Sequence, residues 1–175
     1  MTPLSTYELD DLHGAILERI EEELLPALSK ANRTGELSQL IALLGMSDLL
    51  GTTGESEFKP TKVIVLGDSM VSEGKLRSKV RKRGLDSREF EFVLGYNELK
   101  HYNFDKLRNS FSYRAILVGP MPHSTPGKGG ASSFIARVES QPDCYPPFIR
   151  LEDSTGLKIT NNSFARALDL LLAMG

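Results

Sequence analysis

The sequence has one cysteine, three histidines, no tryptophan and only 7% aromatic residues among its 175 positions. A lone Cys144 excludes an intramolecular disulfide and any cluster built on several thiolates. Histidines as dispersed as His13, His101 and His123 do not make a metal site either, so no metal and no cofactor is expected. A single free thiol suits a reducing, cytoplasmic setting. No run approaches the roughly 20 apolar residues that a membrane span requires, and "MTPLSTYELDDLHG" places acidic residues where a secretory leader has basic and then apolar ones. The net charge of -2 excludes a global pull toward nucleic acid or anionic lipid and leaves only local basic patches for such partners.

What is present is ordinary material for a folded protein. With 40% hydrophobic and 25% charged residues the chain can bury a sizeable core, and its length fits one domain with an appendage or two small ones. The two halves differ in pattern. Leu9, Leu12, Ile16, Ile20 and Leu24, then Leu37, Leu40, Ile41 and Leu44, recur at helical spacing and predict two amphipathic helices. Ser5 and Glu8 form a capping box before the first. Pro26 is expected to kink or end it, with "SKANRTGE" as the turn into the second. Residues 1–55 are thus expected to form a helical hairpin. Its apolar stripe cannot be buried by so small a unit alone, which points to dimerisation or partner contact. "GTTGESEFKP", residues 51–60, marks the boundary.

Residues 60–175 alternate short apolar runs with helical segments. "KVIVLG", "EFEFVLG", "YRAILVG" and "PFIRLED" read as strands. The first and third are almost continuously apolar, as strands covered on both faces are. The three intervening segments and the terminal "NNSFARALDLLLAMG" read as helices. The expectation is a small Rossmann-like three-layer α/β domain with a mostly parallel sheet of about four strands in the order 2-1-3-4.

Ligands of open parallel sheets bind beyond the carboxyl ends of the strands. Those ends hold Asp68 and Ser69, Tyr96 and Asn97, the loop from Gly119 through His123, Ser124 and Lys128, and Glu152 to Ser154. Three of the four runs stop at glycine, which permits either a tight turn or close approach of a ligand to the backbone. The Gly119–Ser133 loop combines a lysine, hydroxyls and glycines before a helix, a composition that can wrap an anion. It lacks P-loop spacing, and no G-x-G-x-x-G follows the first strand, so ATP hydrolysis and NAD chemistry are not supported. The ligand-binding candidates are Asp68, Ser69, Tyr96, Asn97, His123, Ser124 and Lys128, and the expected ligand is a small anionic, nucleotide-like molecule.

"VLGDSM" resembles the first block of the GDSL-type (SGNH) hydrolases, and the resemblance implies a nucleophilic serine at Ser69. It covers six residues. That family's histidine lies near the C-terminus, three residues after an aspartate, whereas here the last histidine is His123. A Ser69–His123 pair oriented by Asp68 or Asp153 is the hydrolase alternative. Asp68 or Ser69 is also suited to cap the following helix. That helix carries Lys75, Lys79 and Lys82 on one face, broadened by Arg77, Arg81 and Arg83. With the hairpin, the face defines a third reading, a protein-interaction or nucleic-acid-associated role, although no aromatics are interleaved for base stacking.

Overall fold

The computed structural model describes residues 3–51, 61–121 and 131–174. The chain divides into two compact units, Met1–Ser56 and Glu57–Gly175.

The first unit is dominated by one helix. α1 runs over Thr6–Thr34, about 43 Å at 1.5 Å per residue. The capping box starts it: Ser5 Oγ accepts from the Glu8 N–H, and the Glu8 carboxylate accepts from the Ser5 N–H at 2.8 Å. Pro26 neither ends nor begins the turn. The helix continues through it to Gly35, whose left-handed backbone (φ 76°) forms the C-cap. Proline cannot donate to the carbonyl four residues back, but the helical φ it imposes is tolerated when the flanking turns are intact. "SKANRTGE" is accordingly helical up to Thr34. The second predicted helix is short: α2 covers Leu37–Leu43 and is followed by a 3-10 turn, Ser47–Leu50. The hairpin is therefore lopsided, with a second arm about two turns long.

The second unit contains β1 (Lys62–Gly67), α3 (Glu73–Lys82), β2 (Phe90–Leu94), α4 (Tyr96–His101), β3 (Tyr113–Val118), α5 (Ala131–Ser140), β4 (Phe148–Arg150), β5 (Glu152–Asp153), β6 (Gly156–Leu157) and α6 (Asn161–Ala173). Its main sheet has the order β2-β1-β3-β4 and is parallel throughout. Alternation along β1 divides the core. Val63 and Val65 join Leu76 and Val80 of α3 and Phe164, Ala167, Leu168 and Leu171 of α6. Ile64 and Leu66 face the other way, with Leu99 of α4 and Phe134 and Val138 of α5. The result is a three-layer Rossmann-like α/β fold, with helices on both faces as parallel strands require.

Two details depart from the pattern. The fourth run pairs in parallel only over Phe148–Arg150, and its last residues turn into the small antiparallel β5-β6 hairpin. The second crossover is a short α4 plus a 3-10 turn at Phe104–Leu107, because Asn103 breaks the helix by accepting from the Asp105 N–H.

Candidate functional site

The connection after β1 leads to one side of it and the chain then returns to β3 on the other, so the carboxyl ends of β1 and β3 bracket the switch point of the sheet. Gly67 and Gly119 stand there. A Cβ on Gly67 would lie 2.9 Å from the Gly119 Cα, and one on Gly119 would lie 2.3 Å from Ile159 Cγ1. Both glycines are therefore required by packing: the backbones close on each other and the buried Ile159 side chain fills the remaining space. Backbone pairing continues this closure. Gly119 N–H donates to Leu66 O and Asp68 N–H to Pro120 O, each at 2.7 Å, and Ser69 forms a parallel bridge with Ile159.

Ile159 is held by the start of α6. Thr160 and Ser163 cap each other reciprocally, the Ser163 N–H donating to Thr160 Oγ1 at 3.0 Å and the Thr160 N–H to Ser163 Oγ at 2.9 Å. Ser163 Oγ also donates to Lys158 O at 2.6 Å. Sequence reading missed Ile159 as a site residue. The Thr160–Ser163 spacing announces a helix start, but nothing local announces what Ile159 touches.

Above this plug lies a polar rim. Asp68 is exposed and Ser69 half-buried. Ser69 Oγ donates to Val71 O at 2.9 Å and accepts from the Val71 N–H at 3.1 Å, closing a local turn. Neither Asp68 nor Ser69 caps α3. Ser72 is the N-cap and makes no side-chain cap bond, because the turn after β1 consumes four residues before the helix begins. Met70, at its tip, is 99% exposed. At the end of β2, Gly95 has φ 97° with open space around it, so its backbone conformation alone requires glycine there. Tyr96 and Asn97 follow it, both exposed, and the Asn97 carbonyl accepts from His101 Nδ1 at 2.8 Å. At the end of the fourth run, Asp153 Oδ1 accepts from Thr155 N–H and Oγ1 at 2.8 and 2.6 Å. The Thr155 hydroxyl, then its N–H, lower the Asp153 pKa below the usual carboxylate range; the carboxylate closes the β5-β6 turn.

The structure thus brings Asp68, Ser69, Tyr96 and Asn97 to one edge of the sheet, on two adjacent strand ends. His123, Ser124 and Lys128 lie outside the described residues. Among the described residues, no group of three or more His, Cys, Asp or Glu side chains could hold a metal ion, and no helix is long and apolar enough to cross a membrane.

The basic helix resolves into two classes of side chain. Arg77 donates to Glu73 Oε1 at 2.7 Å and to Ser87 O, and its guanidinium lies 4.8 Å from the centre of the Phe92 ring. Arg83 forms a two-point pair with Asp169 of α6, at 2.7 and 3.2 Å. Those two serve the fold. Lys75, Arg81 and Lys82 are exposed and Lys79 half-exposed, while Leu76 and Val80 face the sheet.

By sheet order and layering the second unit is a Rossmann-like α/β domain in which Ile159 fills the space at the switch point and polar residues follow the strand ends. Comparison with protein-family models, with curated proteins and with solved structures finds no match.

Proposed function

We propose that this chain is a non-catalytic, regulatory binding module acting in a reducing, cytoplasmic setting. Its α/β unit recognises a small anionic, nucleotide-like ligand at the carboxyl edge of the sheet, and its helical unit serves self-association or partner contact. The observation that carries this reading is the convergence of Asp68–Ser69 and Tyr96–Asn97 beside the switch point, the place where parallel sheets of this order take ligands. The Tyr96 ring and Asn97 amide suit a base or sugar. The composition of residues 119–133, with Lys128 and several hydroxyls, suits the complement to its charge.

Binding is favoured over attack because the Ser69 hydroxyl is occupied by its own turn. The hydrolase alternative needs that turn to open and His123 to come within hydrogen-bond reach. A panel of nucleotides and sugar phosphates, followed by thermal shift, tests the proposal. One class of ligand should raise the melting temperature by about 2–5 °C at saturating concentration, and Lys128→Ala or Tyr96→Ala should weaken that shift. A flat panel sinks the reading, and p-nitrophenyl ester turnover abolished by Ser69→Ala replaces it with the hydrolase.

The exposure of Lys75 and Lys82 beside the half-exposed Lys79, with Arg77 and Arg83 tied down, favours a second reading in which α3 meets a polyanion. It requires retention of DNA or RNA that falls steeply with salt and is lost on charge reversal at Lys79 and Lys82.

A further inference from the structure

The buried residues of α1, Ser29 and Ala31, both lie in its last two turns, where α2 packs beside it. Toward the N-terminus the aliphatic side chains stand open: Leu9 is 52% exposed, Ile16 45% and Leu24 39%. About five turns of a regular helix therefore present a continuous apolar row.

We propose that this row is the interface with a second copy of the chain, the two α1 helices packing antiparallel about a two-fold axis level with Glu18. The inference deepens the self-association half of the reading above and does not depend on the anion site.

The row is self-complementary. A two-fold contact requires that each side chain meet the partner's equivalent of its own counterpart. The central apolar positions of this face read the same in either direction from residue 18. Ile16 comes level with Ile20 of the second copy, and Leu12 with Leu24. The small Ala27 meets Leu9, and the one polar pair in the row sets His13 against Glu23. His13 and Glu23 are both exposed and stand on either side of the row's centre line, His13 beside Leu9 and Glu23 beside Ile16 and Ile20, so that an antiparallel partner brings them to one level.

Charge decides the orientation. From Glu8 to Glu23 the helix carries seven acidic residues and one basic, Arg19, which already pairs with Glu23 at 2.8 Å. Parallel, in-register pairing would set Glu21–Glu23 of one copy level with the same triplet of the other, and Asp10–Asp11 likewise. Antiparallel pairing places the triplet beside His13, Gly14 and Ala15. It also brings the acidic first turn level with residues 27–30, which hold Lys30 and no acidic residue.

Sedimentation analysis of the full chain between about 1 and 100 μM tests the proposal, with circular dichroism monitoring helix content. The unmodified chain should dimerise with a Kd near the micromolar range. Ile16→Asp, at an exposed position, should weaken the dimer by about thirtyfold or more. His13→Glu should weaken it by roughly tenfold and His13→Glu with Glu23→Lys should return it to within about threefold, since the reversed pair is restored only across an antiparallel contact. A chain monomeric at 100 μM, which leaves the face to a different occupant, overturns the proposal. So does a dimer indifferent to Ile16→Asp, or a double variant as weak as His13→Glu alone, the result of parallel pairing. Absence of a ligand-induced thermal shift leaves this test standing, because no ligand enters it.

Discussion

At Gly119 an added methyl group has nowhere to go. Its Cβ would stand 2.3 Å from Ile159 Cγ1, and Ile159 cannot retreat because the Thr160–Ser163 box fixes the start of α6 beside it. Gly119→Ala should therefore destabilise the α/β unit by about 1–3 kcal/mol, seen as a lower urea midpoint at unchanged slope. Ile159→Ala removes the obstructing atoms, so the double variant should cost at least about 1 kcal/mol less than the sum of the two single changes. Simple additivity would show that the two residues do not meet. Tyr113 carries a different constraint. Its hydroxyl donates to Glu91 Oε2 at 2.6 Å, and burial, followed by that bond and the charge of Glu91, pushes its pKa up to about 12. Tyr102 is raised as well, first by its burial and then by the charges of Tyr113 and Glu91. An unfolded tyrosine ionises near pH 10, so the native state holds these protons more tightly than the unfolded one. The contribution of Tyr113 is complete below about pH 10 and is lost as pH rises through about 12, and that of Tyr102 is lost at still higher pH. Urea unfolding between about pH 9 and 12 should show stability falling across that window, and Tyr113→Phe should flatten the fall.

Among the elements, α1 and α3 show where pattern and structure part. Pro26 reads as a helix stop, yet α1 passes through it. The ring removes the N–H that would meet the Glu22 carbonyl, and a long helix with a capping box at one end and a left-handed glycine at the other absorbs that loss. Pro26→Ala restores the bond and a favourable propensity. It should raise the stability of the helical unit by about 1–3 kcal/mol, measured as a later loss of ellipticity at 222 nm; an earlier loss would mean that the proline is needed where it stands. Across α3 and its C-cap Arg83, six basic residues in eleven positions read as one charged surface. Folding splits them, because Arg77 reaches back along its own helix to Glu73 and over Phe92, while Arg83 reaches across to Asp169. Which arginines serve packing depends on side chains from β2 and α6, and these are distant in sequence.

On the scale of the molecule, the α/β unit has two well-filled core layers of its own, whereas only Ser29, Ala31 and Ile41 are buried in the described part of the helical unit. A chain of residues 57–175 should therefore keep a cooperative melt and the far-ultraviolet spectrum of a mixed α/β protein. Residues 1–56 alone should be largely unfolded at low concentration. A non-cooperative melt of the longer piece would show that its core is incomplete. The strand order and the layers were legible in the sequence, since near-continuous apolar runs imply strands covered on both faces and right-handed crossovers leave few orders open. Asp68, Ser69, Tyr96 and Asn97 were legible as a group for the same reason: they follow strand ends that a parallel sheet must align. Tertiary structure alone decided what the glycines are for. A glycine at a strand end marks a tight turn, a ligand's approach or a close neighbour with equal economy, and only the return of distant segments shows that Gly67 meets the Gly119 backbone and Ile159, and that Gly119 meets Ile159. Local pattern determines which elements form, because their hydrogen bonds and periodicities are local. The space at the switch point is decided by packing between distant segments, for which the chain carries no local sign.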